Sequence, residues 1–243
     1  MLMLPVLVIV LVLCLILHDR IKRYPAAFYV AALLLDAVFV AGCYGMFPAP
    51  VWGVLRILMK EAAVAFSLFA VVMYVGVLPQ RSKVRALLLP IRGELSIMAF
   101  FVALAHAAFY LCSYGDRFFS GAIVYANSNA LVSLAVAGAL LALLMVLSVT
   151  SFDALKRRMP SSVWKSVQRF SYLFFVLLYV HVACMLWPAA MSGRGASAAS
   201  LTVYTVVFGL YFALRLIKAA HGRRRERKRC SGCTCSDDAV GCS

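Results

Sequence analysis

The chain has 243 residues, of which 65% are hydrophobic and 14% charged, and its mean hydropathy is +0.95. There is too little polar surface to cover a water-soluble globule of this size, so the composition indicates a membrane protein. The formal net charge of +15 would suit a nucleic-acid-binding protein. However, the basic residues are spread over short loops and a tail, so we expect no nucleic-acid partner.

Seven apolar segments follow one another along the chain, at 2–17, 26–46, 55–78, 95–113, 126–149, 170–187 and 201–219. Most have the roughly 20 residues that cross the hydrocarbon core of a bilayer as a helix. The loops between them are too short to fold alone. The sequence therefore predicts an all-α, polytopic bundle of about seven transmembrane helices.

The basic residues indicate how this bundle is oriented. Twenty of the 24 Lys and Arg residues lie in segments 18–25, 79–94, 151–169 and 215–229, which alternate crossings place on one side. By the positive-inside rule that side is cytoplasmic, with the N-terminus outside and the C-terminus inside. We predict a multi-pass protein of the plasma or inner membrane whose basic tail contacts anionic lipids.

The loop at 188–200 is rich in Ala, Ser and Gly and predicts a flexible external linker. Pro188 opens this loop, and other prolines also stand at the ends of apolar segments, where a missing N–H does little harm.

Two histidines, His106 and His181, stand inside apolar segments, each 11 residues after the segment begins. An imidazole in hydrocarbon costs free energy unless it has a partner, and two at matched depth, ~16 Å from the inner edge, suggest a shared one. Haem iron takes two opposed neutral imidazoles, so this pair predicts the ligands of a b-type haem. The alternative is that each histidine bonds a neighbouring helix or lines a polar cavity.

A family resemblance adds to this interpretation. The run from Arg92-Gly93-Glu94 to His106 resembles the first haem-ligand helix of the ferric-reductase-like transmembrane family, which includes ferric reductases, NADPH oxidases and the haem-binding subunit of a periplasmic methionine-sulfoxide reductase system. Residues 140–181 resemble the next two helices of the family. The runs that carry this resemblance are Ser148-Val149-Thr150-Ser151, Lys156-Arg157-Arg158, Trp164 and Gln168-Arg169-Phe170-Ser171-Tyr172.

The resemblance covers about residues 55–220 and implies three parts. Residues 1–25 form an extra helix and the first cytoplasmic loop, 26–220 form a six-helix haem-binding core, and 221–243 form a basic, Cys-rich tail that we expect to be disordered. Many family members hold a second haem with a histidine 13 or 14 residues before each ligand. Here those positions hold Gln168, Gly93 and Arg92, so the resemblance implies one haem b, on the outer side.

The electron donor is expected at the cytoplasmic edge. We find no Gly-rich dinucleotide fingerprint, and the resemblance to single-domain members implies quinol from the quinone pool, or FMN reduced by a cytosolic flavin reductase. Donors for a quinone oxygen or a flavin phosphate stand at this edge, at Arg92, Arg158, Gln168 and Arg169. The alternative, which we favour, is that the three arginines are ordinary positive-inside residues.

On the outer side, Arg117 is placed to neutralise the haem propionates, and Arg56 and Lys60 either join it or snorkel to the interface. Asp36 lies within the second apolar segment, where it would release protons or, as we favour, hydrogen-bond a neighbouring helix.

The eight cysteines form two groups. Cys14, Cys43, Cys112 and Cys184 lie in or beside apolar segments, and the last three would form a disulfide only if they are close. The tail carries Cys230, Cys233, Cys235 and Cys242, which would bind zinc or an iron–sulfur cluster if the tail were ordered. We favour a tail without metal.

The resulting hypothesis is an electron-transfer subunit of an oxidoreductase system. It would pass electrons from a quinol or a cytosolic flavoprotein, through one haem, to a separate extracytoplasmic reductase or flavoprotein that docks on loops 114–125 and 188–200. One alternative is direct reduction of ferric iron or oxygen at the outer face. Another is a non-redox transporter or assembly factor in which the histidines relay protons or bind a substrate.

Overall fold

The computed structural model describes residues 3–119 and 128–233, and every regular element in those ranges is helical. The helices are α1 (Met3–Arg23), α2 (Pro25–Cys43), α3 (Ala49–Leu55), a π-helix (Arg56–Lys60), α4 (Ala63–Val77), α5 (Lys83–Leu88), α6 (Arg92–Phe119), α7 (Ser128–Val149), α8 (Asp153–Lys156), α9 (Ser161–Met191) and α10 (Gly195–Cys233).

Seven stretches within the described ranges are long and apolar enough to cross a membrane: α1, α2, the run Ala49–Val77 that joins α3 to α4, α9, and parts of α6, α7 and α10. The prediction of an all-α, polytopic helix bundle is therefore confirmed. The chain is a multi-pass membrane protein.

Helix α4 is the centre of the bundle because its apolar residues occupy every face and bury most of its length. It packs against α1, α6 and α10, while α2 packs on α6, and α9 lies between α7 and α10. Two buried clusters result. One joins α1, α2, α4, α6 and α7, and the other joins α4, α9 and α10 around Phe175, Phe208 and Tyr211.

Short connections at one end of the bundle carry most of the charge. We call this the basic end, defined by residues 20–25, 78–92, 150–161 and the part of α10 after Arg215. The opposite end holds the break between α3 and α4, the end of α6 and the turn between α9 and α10.

The third crossing is a broken helix. Its α-helical geometry gives way to a π-helix over Arg56–Lys60, and Ala62 then takes a left-handed conformation with φ +53° before α4 begins. A non-glycine residue in this region stores about 1 kcal/mol or more. The break therefore has to be maintained by the contacts around it.

Two sequence expectations about connections need correction. The predicted external linker at 188–200 is three residues, 192–194, because α9 continues past Pro188 to Met191 and α10 starts at Gly195. Pro188 lies in the last turn of α9, where its effect on the helix is small, and the Ala-rich run after Gly195 favours a helix. Gly193 turns the chain with φ +82°, a conformation that glycine adopts without strain.

The tail also differs from the expectation. We predicted disorder from residue 221, but α10 runs to Cys233 through the basic segment. Arg, Lys and Glu are good helix formers, so a helix that leaves the bundle continues through such a sequence. The side chains of Cys230 and Cys233, and all of Cys235 and Cys242, lie outside the described part, as does the prediction of a tail without metal.

Candidate functional site

The two histidines singled out from the sequence meet inside the bundle. The ring centroids of His106 on α6 and His181 on α9 are 6.5 Å apart, and the ring planes are nearly perpendicular at 85°. A direct imidazole–imidazole hydrogen bond would bring the centroids to about 5 Å. The two rings are therefore neighbours that are not hydrogen-bonded to each other.

The first imidazole is oriented by the broken helix. His106 Nδ1 lies 2.6 Å from the carbonyl oxygen of Lys60, the last residue of the π-helix. A carbonyl oxygen only accepts, so Nδ1 carries the proton. In a continuous helix the Lys60 carbonyl would accept from the backbone four residues later, but the left-handed turn at Ala62 ends that ladder and leaves this oxygen for His106.

The second imidazole is oriented by α7. His181 Nδ1 lies 3.1 Å from the backbone carbonyl of Ser133 and 2.9 Å from its hydroxyl oxygen. The Ser133 hydroxyl in turn reaches the backbone oxygen of His181 at 3.5 Å. Nδ1 therefore donates here as well, and the buried Ser133 offers it both a backbone and a side-chain oxygen.

Both rings consequently share one tautomer. With Nδ1 protonated and bonded to the protein, Nε2 is left with a free lone pair, which is how histidines that bind metal ions are usually held. Two imidazoles on one metal ion, with nitrogen–metal bonds of about 2 Å, place their ring centroids roughly 6 to 6.5 Å apart. The observed 6.5 Å fits that arrangement.

The helices that carry the pair pack mainly on other helices. Helix α6 packs mainly on α2 and α4, whereas α9 packs mainly on α7 and α10. The helices that carry the two histidines therefore have no extensive interface with each other, and both rings are only partly buried. Two imidazoles are too few for a protein-only metal site, and no group of three metal-ligating side chains occurs among the described residues. A porphyrin supplies the remaining four nitrogens, so the residues fit haem.

Around the pair, the opposite end of the bundle supplies aromatic and basic groups. Tyr110 lies one turn beyond His106 with ring centroids 4.9 Å apart, and Tyr114 follows at 6.4 Å from Tyr110. Lys60 Nζ stands 4.9 Å from the centre of the Phe109 ring.

The predicted propionate partners have mixed outcomes. The exposed Arg56 begins the π-helix, and the Lys60 side chain takes up the cation–π contact, so neither is engaged with an anion among the described residues. The side chain of Arg117 lies outside the described part.

A second candidate site opens at the basic end. It is a cavity of about 650 Å³, within the 300–1,000 Å³ range of small-molecule pockets. Its inner wall is apolar and its rim is polar. Representative apolar residues are Phe69, Met73, Ile97, Leu144 and Phe174, and the polar lining includes Arg92, Glu94, Ser96, Lys156, Gln168 and Ser171.

The structure divides the four residues predicted at this edge. Arg92 and Gln168 both line the cavity. Arg158 and Arg169 are exposed and do not line it, so their assignment to the same site is corrected. Helical periodicity explains the split: Arg169 follows Gln168 directly and so points about 100° away from it, and Arg158 lies in the loop after α8.

Gln168 is fixed by the end of α7. Its amide nitrogen donates to the Thr150 hydroxyl at 3.3 Å, and the Trp164 indole donates to the Thr150 carbonyl at 3.1 Å. Lys156 stands 5.3 Å from the centre of the Trp164 ring. Gly93 lines the same cavity as Gln168, and the neighbour that a Cβ added at Gly93 would meet is Ser151 O, at 3.8 Å. Arg92, Gly93 and Gln168 stand where the family resemblance would place a second pair of haem ligands, and here they line a cavity large enough for a small molecule.

Two further expectations can be compared with the structure. Asp36 Oδ1 is buried without a hydrogen-bond partner among the described residues, so the structure does not show the favoured bond to a neighbouring helix at this oxygen. Cys14, Cys43, Cys112 and Cys184 are all free thiols, so the cysteines near the opposite end form no disulfide with one another.

The comparisons with known proteins place the chain beside one uncharacterized protein of Treponema pallidum (strain Nichols), to which it is 34% identical over 227 residues. The match takes in 93% of this chain and 62% of the relative, so the chain spans about three fifths of the relative's length. No family model and no solved structure matches the chain.

Proposed function

We propose that this protein is a membrane b-type cytochrome in which His106 and His181 are the axial ligands of a single haem b. It would be the membrane electron-transfer subunit of an oxidoreductase system in the ferric-reductase-like family. When bound, haem supplies reversible one-electron transfer. The protein supplies the ligands, a low-dielectric setting and a fixed depth in the bilayer.

One observation carries the proposal. Two imidazoles from different transmembrane helices lie 6.5 Å apart, each with its Nδ1 bonded to a backbone carbonyl. The spacing and the shared tautomer together favour two ligands of one metal ion over a hydrogen bond between the rings. A direct proton transfer from one ring to the other would need such a bond, and each ring instead bonds to its own helix neighbour.

The surrounding residues set the ligand properties. The Lys60 and Ser133 carbonyls orient the two rings, and the proton that each Nδ1 shares with its carbonyl makes Nε2 a stronger donor to iron. A ligand of this kind stabilises the oxidised state of the metal. The neighbouring apolar side chains have the opposite effect, because they disfavour the extra positive charge of that state.

We assign the donor site to the cavity at the basic end. Its polar rim suits the oxygens of a quinol or the ring edge of a flavin, with Arg92 and Gln168 as donors and Glu94 as a proton acceptor. The apolar inner wall includes Ile97, nine residues before His106, and Phe174, seven residues before His181. At 1.5 Å rise per residue, these residues are roughly 10 to 14 Å from the imidazoles. One transfer step therefore separates the donor from the ligands.

In this proposal the basic end faces the cytoplasm, as the positive-inside rule predicts. Electrons leave at the opposite end, where Tyr110 and Tyr114 extend from His106 towards the end of α6. We propose that the acceptor is a separate extracytoplasmic reductase or flavoprotein.

The test is spectroscopic. The full-length chain is purified from membranes with haem available during expression, and dithionite-reduced minus oxidised spectra are recorded. We expect the α, β and Soret bands of low-spin b haem in the wild type and their loss in His106→Ala and in His181→Ala.

A matched control is His18→Ala, because His18 lies towards the C-terminal end of α1, and in the described part of the chain its ring nitrogens contact Leu15 O and Asp19. This variant should keep the spectrum. Bands that persist unchanged in both ligand variants, or a wild-type protein that takes up no haem, would refute the proposal.

A further inference from the structure

A group of three cations lies beside the end of α4, away from the histidine pair. Lys218 on α10 reaches across to α4, where its Nζ donates a 2.7 Å hydrogen bond to the carbonyl oxygen of Gly76. Gly76 is in the last turn of α4, whose final carbonyls lack partners within the helix. The ammonium group is therefore fixed at a defined place at the basic end.

Two guanidinium groups come from helices that meet in the same part of the bundle, since α5 and α10 both pack on α4. Arg215 lies three residues earlier on α10, with its guanidinium carbon 4.6 Å from the centre of the Tyr172 ring. Arg85 comes from α5, and its Nε is buried without a hydrogen-bond partner. The charges of both Arg85 and Arg215 act on the Lys218 ammonium. We call Arg85, Arg215 and Lys218 the cation cluster.

No carboxylate among the described residues forms an ion pair with the cation cluster. The ion pair found among the described residues joins His18 and Asp19, and none of the three cations takes part in it. Like charges held close in a partly buried place repel one another. A guanidinium with a free donor matches the oxygens of a phosphate group, and three cations from two elements would surround it.

We propose that the cation cluster binds the phosphate group of an anionic ligand. The site lies near the end of the apolar stretch Gly195–His221, at the depth where lipid headgroups meet a membrane protein, and basic pockets between helices bind such headgroups. A free phosphate in the aqueous phase offers the same chemistry. This site is distinct from the basic tail beyond residue 221, and it does not depend on haem.

The experiment uses the full-length chain in a nonionic detergent. Binding is measured by native mass spectrometry and by the thermal unfolding midpoint, with three probes: phosphatidylglycerol in mixed micelles, phosphatidylcholine in the same micelles, and inorganic phosphate. We expect phosphatidylglycerol or inorganic phosphate to bind more tightly than phosphatidylcholine. Each of Arg85→Gln, Arg215→Gln and Lys218→Gln should weaken that binding about fivefold, the equivalent of roughly 1 kcal/mol per cation.

Matched controls are Lys22→Gln, Arg157→Gln and Lys165→Gln, which remove exposed cations from the same end of the bundle. These should change binding less than twofold. Lys218→Arg keeps the charge and should bind nearly as well as wild type, so a comparison of Lys218→Arg with Lys218→Gln tests the site even if Arg85→Gln fails to fold.

The three probes separate the sources. Binding of phosphatidylglycerol alone identifies a lipid headgroup, whereas inorganic phosphate that binds and competes with it identifies a phosphate in solution, and both support the proposal. Equal weakening by the control set, or no dependence on the cation cluster with any probe, would overturn it.

Discussion

His106 Nδ1 donates a 2.6 Å hydrogen bond to the carbonyl oxygen of Lys60, which lies 46 residues earlier in the chain. That oxygen is available because the third crossing is broken between its π-helix and α4. Local π-helical geometry and residues held at positive φ are often found at functional sites. The break and the orientation of the imidazole are therefore two parts of one feature.

The left-handed residue Ala62 provides a direct test of this link. Ala62→Gly should leave haem binding intact and raise the free energy of unfolding by up to about 1 kcal/mol, because glycine adopts φ +53° without strain. Ala62→Val should reduce haem content, since a β-branched residue resists this conformation and would displace the Lys60 carbonyl. Thermal unfolding and the reduced haem spectrum measure the two effects. Equal haem occupancy in both variants would show that the helix break does not control the orientation of the His106 imidazole.

The Ser133 hydroxyl is predicted to affect the midpoint potential of the haem through His181, although it is not needed for haem binding. Ser133→Ala removes the oxygen 2.9 Å from His181 Nδ1 but keeps the backbone carbonyl at 3.1 Å. The haem should remain, and its midpoint potential should rise by roughly 20 to 60 mV, because a hydrogen bond of about 0.5–1.5 kcal/mol no longer supports the oxidised state. Redox titration measures the shift.

Ser148→Ala is the matched control, because the buried Ser148 hydroxyl on the same helix has no hydrogen-bond partner. Its removal should leave the potential unchanged and stability equal or slightly higher. Equal shifts in the two variants would argue against a specific role for Ser133.

The cavity at the basic end is predicted to be the donor site. Gly93→Leu places a branched side chain into it, where the nearest atom to a Cβ is Ser151 O at 3.8 Å. We expect slow haem reduction by duroquinol or photoreduced FMN and normal reduction by dithionite, since only access for the donor is blocked. Stopped-flow absorbance follows both reactions.

The control for the cavity is Gly209→Leu on an exposed face of α10, where nothing lies within 4 Å of an added Cβ. It should behave as wild type with all three reductants. Unimpaired reduction of Gly93→Leu by both duroquinol and FMN would place the donor elsewhere.

The close approach of α2 and α3 gives a prediction about the fold alone. A Cβ at Gly42 would lie 2.6 Å from ring carbons of Trp52, whose indole stacks on Phe39. Gly42→Ala should therefore lower the free energy of unfolding by about 1–3 kcal/mol. Gly53→Ala, with open space around the added methyl group, should be neutral or stabilising by up to about 1 kcal/mol. Thermal unfolding measures both variants. Equal stability of Gly42→Ala and Gly53→Ala would contradict the close packing of α2 on α3.

The sequence predicts the crossings and the histidine pair well for a physical reason. Hydrocarbon requires long apolar segments and admits few ionisable groups, so span number and unusual residues such as His106 and His181 stand out. The prediction of a linker after Pro188 was wrong because a proline near a helix end is compatible with both a loop and the last turn of a helix.

The residues that orient the imidazoles were not predicted. Lys60 acts through its backbone oxygen, which every residue possesses, and its availability depends on a left-handed turn at an ordinary alanine. The only sequence signal is the charged pair Lys60-Glu61 within an otherwise apolar stretch. Ser133 carried a weak signal, a hydroxyl in an apolar helix, but many such hydroxyls bond their own backbone, as that of Ser67 does here. Helical periodicity shows that Gln168 and Arg169 point in different directions, but the sequence does not show which of the two faces the cavity.

The ratio of haem to protein tests the central claim most directly. Pyridine haemochrome absorbance and quantitative amino-acid analysis are measured on wild type, His106→Ala, His181→Ala and the His18→Ala control. We predict about one haem b per chain in wild type and control, and little or none in either ligand variant, because one imidazole alone loses half of the axial coordination. A wild-type ratio near zero, or ligand variants that retain the wild-type ratio, would contradict the assignment of His106 and His181 to one iron.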